Sequence, residues 1–241
     1  MGLLEDIRPV LEEDQRSRDH LRTACHESGH ALAAYISAPA LGRSHDDVLG
    51  SITTGVLASQ TSFDGFEGQK VAGHAEVLLW PEAWRNPART VAERHGEGEQ
   101  PPPLDRLQEC MSEVKALMPN WDKAVAAMAM VLVAGTAAES LVFGEEFTTL
   151  WRGQSAGHDR QNLLPVFALG LDDPADPEFE AKFHAFSQEA AARFSEHLRQ
   201  PQHWQAFGNL VVRVYRYDYA SKKTVLALIR EALGDEGPTP A

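Results

Sequence analysis

The sequence predicts a mainly α-helical domain with a small β-sheet, an α+β fold over residues 1–241. Three observations lead there. Residues 104–233 read as apolar-periodic segments of helix length, separated by Pro, Gly and Asn breaks. Residues 40–80 are instead rich in β-branched residues, with Gly and acidic residues clustered between them. The stretch Thr23-Ala24-Cys25-His26-Glu27-Ser28-Gly29-His30-Ala31 places a His-Glu-x-x-His pattern on a helix over residues 16–38.

Taken in order, residues 3–15 form a mixed-charge leader interrupted by Pro9. The motif helix runs from about Ser17 to Ser37 and stops ahead of Pro39, which disfavours helical backbone in the residue before it. Its tail of Ala31, Ala33 and Ala34 suits close helix packing. Within residues 40–80 the segments 48–57, 70–71 and 76–80 suggest two or three short strands. Residues 81–95 look helical, with Pro81 in a first-turn position. Residues 96–103, Gly-Glu-Gly-Glu-Gln-Pro-Pro-Pro, are an exposed acidic linker with a stiff end. Helices follow at Leu104 to Met118 and Trp121 to Phe143, the second with Asn120 as N-cap and Gly144 at its end. A loop holding Thr148, Thr149 and Gly153 leads to a helix start near Gly157. Further helices are expected at 177–199, 202–217 and 221–233, with Ser221 capping the last and a disordered tail over 234–241.

Composition excludes some classes. The hydrophobic share of 43% and charged share of 24% are those of a globular chain. A net charge of −13 argues against a general nucleic-acid binder or a protein held on an anionic membrane. The N-terminus turns acidic at once, with no basic start or apolar core. The most apolar run, Ala124 to Ala138, falls short of the roughly 18–20 residues that span a bilayer. It is expected to be a buried core helix, in a cytoplasmic protein with no membrane span. Two cysteines, Cys25 and Cys110, are too few for a disulfide framework. Cys25 reads as a small helix residue, or else as a neighbour of a metal.

The motif has a direct chemical meaning. Residues four apart share a helical face, so the imidazoles of His26 and His30 can reach one metal ion. Glu27 lies about 100° further round, where its carboxylate can take a proton from water beside that ion. Ser28 has no nucleophile pattern around it and is expected to pack. His45 and His74 lack ligand-like spacing and are expected to be solvated.

The motif helix, followed by Ala134-Gly135-Thr136-Ala137-Ala138-Glu139-Ser140-Leu141-Val142-Phe143-Gly144-Glu145, then Thr148-Thr149, then Gly157-His158-Asp159, resembles the FtsH peptidase domain. The resemblance covers residues 21–37 and 127–162. It implies zinc held by His26, His30 and Asp159, and Glu27 as the catalytic base. Glu139 matches the glutamate of the family's helix near the metal. It is read as accepting an imidazole N–H, with a buried glutamate satisfied elsewhere or a third ligand as alternatives. His158 stands where the family commonly has Asn. A role behind the ligands or a solvated position at the helix start is favoured over a fourth ligand.

The chain also departs from the family. It contains no Gly-x-x-x-x-Gly-Lys-Ser/Thr phosphate loop, whereas FtsH proteases carry an ATPase module. Extra sequence lies around residues 60–110, and Leu150 to Ser155 look inserted. Two function classes are expected. One is a zinc-dependent, ATP-independent endopeptidase acting on peptides or unfolded protein segments, with a homo-oligomer or a substrate-delivering partner as its expected company. The other is a catalytically weak metal-binding or protein-interaction module.

Overall fold

The computed structural model describes residues 15–54, 73–77, 116, 120–153, 155–169 and 177–235. The expected leader, the strand segments at 70–71 and 78–80, the helix at 81–95, the linker at 96–103 and nearly all of the helix at 104–118 lie outside the described residues. So does the tail beyond Asp235.

The described chain is mainly helical with a small antiparallel sheet. In order, its elements are α1 (Gln15–Ser37), α2 (His45–Val48), β1 (Leu49–Thr54), β2 (Gly73–Val77), α3 (Trp121–Phe143), α4 (Phe147–Arg152), α5 (Gly157–Leu169), α6 (Phe179–Leu198), α7 (Pro201–Tyr217), β3 (Tyr219–Ala220) and α8 (Lys222–Leu233).

The most extensive packing joins α1 to α3. Small residues make the close approach possible. A Cβ added at Gly29 of α1 would lie 2.7 Å from the Ala134 carbonyl oxygen and 3.0 Å from Ala138 Cβ of α3. Ala24, Ala31 and Ala34 on one helix, and Ala127, Ala134 and Ala138 on the other, are buried. Helix α3 has the bounds read from the sequence, and over its 23 residues it is long and apolar enough to cross a membrane, unlike the run Ala124 to Ala138 taken alone; 83% of its apolar window is buried inside the protein. Helices α5 and α6 pack on α3, α7 packs on α1, and α8 lies on α7 and β1. Phe194, Phe207 and Trp151 are among the largest side chains enclosed by this core.

The sheet has strand order β2-β1-β3. Thr53 pairs with His74 on one side and Tyr219 on the other, while Ile52 pairs with Ala75 and Ala220. Alternation along the strands turns Ile52 and Ala220 into the core and leaves His74 and Tyr219 exposed. The third strand therefore comes from the turn between the last two helices. Two residues there carry too little pattern to be seen in sequence.

Several local signals hold. Ser221 Oγ accepts the Thr224 N–H at the start of α8, and Gly144 ends α3 in left-handed backbone at φ 68°. Others do not. Asn120 holds the N-cap position of α3, its carbonyl accepting the Ala124 N–H, but its backbone is left-handed and its side chain makes no cap bond. Thr148 and Thr149 lie in the short helix α4, not in a loop, because Phe147 and buried Trp151, four residues apart, stack and anchor one helical face. His45 is not simply solvated: its ring stacks on Tyr35 with centroids 3.8 Å apart.

Candidate metal centre

Three elements supply the site. His26 and His30 project from the middle of α1, and Asp159 comes from the first turn of α5. Helix α3 lies behind the imidazoles and sets their orientation. His30 Nδ1 donates to the Val131 carbonyl at 2.7 Å, and His26 Nδ1 donates to Glu139 Oε1 at 2.7 Å. Both acceptors are on α3. With each Nδ1 carrying its proton, each neutral ring turns a bare Nε2 the other way.

Those bare atoms converge. The two Nε2 atoms are 3.0 Å apart, and Asp159 Oδ2 lies 3.1 Å from that of His26 and 3.4 Å from that of His30. Oδ2 is buried and has no hydrogen-bond partner of proper geometry among the described residues. Three lone pairs facing one another at these distances repel unless a proton or a metal cation lies among them. His26, His30 and Asp159 form a group able to hold a metal ion. Zinc bonds of about 2.0–2.1 Å in tetrahedral array would separate neighbouring donors by about 3.3–3.4 Å, close to the triangle found. Two imidazoles and a carboxylate are also a donor set that suits zinc.

The space is kept open by a missing side chain. A Cβ built on Gly135 of α3 would lie 2.6 Å from both Nε2 atoms and 2.7 Å from His26 Cδ2. Any other residue would push into the donor atoms themselves.

Electrostatics agree with the geometry. For His26, burial opposes the imidazolium, but the nearby Asp159 carboxylate, with Glu139 and Glu27, outweighs it and holds the ring well above its ordinary value. His30 is raised in the same way, with burial and the His26 charge opposing. Burial pushes the Asp159 carboxyl up, yet the two imidazoles hold it far below the usual carboxylate range. The pocket thus attracts positive charge and keeps its carboxylate ionised.

Glu27 follows His26 on α1 and is 7% exposed. Strand β2 covers it: a Cβ on Gly73 would meet Glu27 Cγ and Oε1 at 2.9 Å and Thr23 Cγ2 at 2.5 Å. Glu139 is 3% exposed and divides its oxygens, one to His26 and one to Arg22. It is not among the grouped donors, so it stands behind His26 rather than as a third ligand. His158 is exposed at the start of α5 and also lies outside that group. Ser28 is fully buried between the helices, its hydroxyl without a hydrogen-bond partner among the described residues. Cys25 is buried, and burial pushes its thiol up, so it remains a neutral packing group.

Arg22, Gly73 and the Val131 carbonyl are participants that sequence reasoning missed, and Gly135 was named there only within the resembling segment, with no role of its own. Arg22 had one available signal, its position four residues before His26 and hence on the same helical face. Gly135 stands four residues before Glu139 and faces the site for the same reason. The chain matches no model of a known protein family, and a search of curated proteins finds no match either.

Proposed function

We propose that this chain is a zinc-dependent, ATP-independent endopeptidase, related in fold to the FtsH peptidase domain, that hydrolyses peptide bonds in peptides or unfolded protein segments. The observation that supports it most is the convergence of His26 Nε2, His30 Nε2 and the buried Asp159 Oδ2, with the Glu27 carboxylate on the adjacent helix position. A purely structural zinc site is closed by four protein donors, whereas three leave a position for chemistry. The resemblance of the Gly135–Glu139 segment and of the Asp159 helix start to the FtsH peptidase supports the same reading.

A zinc ion in this group would supply Lewis acidity, making hydroxide available near neutral pH and polarising a peptide carbonyl. His26 and His30 offer Nε2, held in that tautomer by Glu139 and by the Val131 carbonyl. Asp159 adds the negative charge that favours a dication over a bound proton. Glu27 accepts the proton of the attacking water on its carboxylate and returns it to the departing amine. Cover by β2 shields this carboxylate from bulk water, which strengthens its interactions with the charged site.

Strand β2 also suggests how substrate is held. It pairs only with β1 among the described strands and lies against Glu27 through Gly73. An extended peptide added to that edge would run past the carboxylate, with backbone hydrogen bonds supplying affinity for any unfolded segment.

Glu27→Gln tests the proposal. The substitution keeps size and removes basicity, so the protein should retain its metal while peptide-library cleavage falls by about 10²–10⁴ or more. Equal cleavage by both proteins refutes the assignment. Wild-type protein that binds zinc and cleaves nothing in a broad unfolded-peptide library would establish the metal-binding or interaction module instead.

A further inference from the structure

Behind the metal group runs a second line of charge that begins at Arg22. This residue lies one turn before His26 on α1, on the same face. Its Nη1 donates to Glu139 Oε2 at 3.2 Å and to Glu145 Oε2 at 3.2 Å, while Nη2 donates to Glu145 Oε1. The guanidinium carbon also sits 4.5 Å from the centroid of the Phe143 ring. One cation is therefore gripped by two carboxylates and an aromatic face from the C-terminal end of α3 and the turn after it.

The consequence falls on His26. Glu139 Oε2 is held by Arg22, and Oε1 accepts the His26 Nδ1 proton. A carboxylate fixed at one oxygen cannot swing away from the ring at the other. Buried at 3% exposure, Glu139 has no water to replace a lost partner, so its direction depends on the guanidinium. Arginine fits this place better than lysine because its planar fork can serve both carboxylates at once.

We propose that Arg22 is a positioning residue of the metal centre, acting through Glu139 to hold the His26 ring with Nε2 turned toward His30 and Asp159. Glu145 and Phe143 in turn fix Arg22. The inference rests on the reading of His26, His30 and Asp159 as metal donors. It adds a tether that extends from the far end of α3 to a ligand on α1.

The test uses full-length protein with zinc affinity measured by chelator competition and cobalt(II) as a spectroscopic probe. Arg22→Met should weaken zinc binding about tenfold, the lower end for loss of a group orienting a ligand, and should shift the cobalt ligand-field bands. Arg22→Lys should recover part of both. Combined with Glu139→Gln, Arg22→Met should add little to the loss caused by Glu139→Gln alone, because the two act in one line. Glu145→Gln alters a partly exposed residue and keeps the test open if Arg22→Met does not fold; it should weaken zinc binding by less, in the same direction. Wild-type affinity and an unchanged cobalt spectrum in Arg22→Met, or in both Arg22→Lys and Glu145→Gln, would overturn the proposal, as would full additivity with Glu139→Gln. His26→Ala serves as the separate control: unchanged metal binding there would refute the metal centre itself.

Discussion

Gly135→Ala adds one methyl group at the point where the two imidazoles meet α3. On an exposed helix the change would help, since alanine is favoured over glycine by about 1 kcal/mol. Here the new Cβ would lie 2.6 Å from both Nε2 atoms. Ordinary carbon–nitrogen contact begins near 3.4 Å, so rings or helix must give by about 0.8 Å, and overpacking of this kind costs about 1–3 kcal/mol. The net change in stability is then small, from about neutral to 2 kcal/mol destabilising. The effect on the metal is larger, because donor distances must stay within about 0.2 Å of their preferred values. Zinc affinity should fall at least tenfold, and more if one imidazole leaves the group. Chelator competition measures the affinity, and thermal unfolding with and without zinc separates it from stability. A Gly135→Ala protein that binds zinc as tightly as wild type would show that α3 yields freely at this position, and the cradle argument would fail.

Gly73→Ala probes the other side of the site: its Cβ would meet Thr23 and the Glu27 side chain but none of the grouped donors, so on the proposed function zinc affinity should persist while peptide cleavage drops by at least tenfold as the proposed base, Glu27, is displaced. The pH dependence has a fixed sign. His26 is raised above its ordinary 6.5 and Asp159 depressed below its ordinary 3.8, so in metal-free protein their attraction stabilises the fold fully between those two ordinary values. That stability is lost as pH rises through the raised imidazole value, and at the acid end as pH falls through the depressed carboxyl value. Zinc loading runs the opposite way at the upper end, tightening with rising pH and releasing protons, which calorimetry in buffers of different ionisation enthalpy will detect. Zinc affinity independent of pH from about 6 to 8 would contradict the assignment of His26 as a donor.

Much of this organisation is legible from residue order because helices bring near neighbours together. His26, Glu27 and His30 lie within about one turn, and the 3.6-residue period alone puts both imidazoles on one face. The long helix ending at Gly144 is legible for a similar reason, as an unbroken apolar run with a left-handed stop. What depends on chain-distant packing is not legible without a known relative to compare. Asp159 and Glu139 were named through resemblance, since no local rule connects residues more than a hundred positions from His26. β3 was missed because two residues gain strand geometry only by meeting β1. The Asn120 side chain and the Thr148–Thr149 pair misled because short-range preference yielded to the placement of Trp121 and Trp151 against the core.

The same contrast explains where glycine is needed in this chain. Local rules explain Gly144, whose left-handed backbone ends α3 with nothing near its Cα that a Cβ would strike. Gly29 and Gly135 have no such local signature. Both lie inside helices, where glycine costs stability, and both are required by what lies across the α1–α3 interface: a backbone carbonyl for Gly29, two donor nitrogens for Gly135. The first lets the helices come close enough for Val131 and Glu139 to reach the imidazoles. The second stops that closeness from filling the space where Asp159 arrives. The helix crossing and the donor geometry are thus two aspects of one constraint, and a substitution at either glycine would perturb the candidate metal centre through packing rather than through ligation.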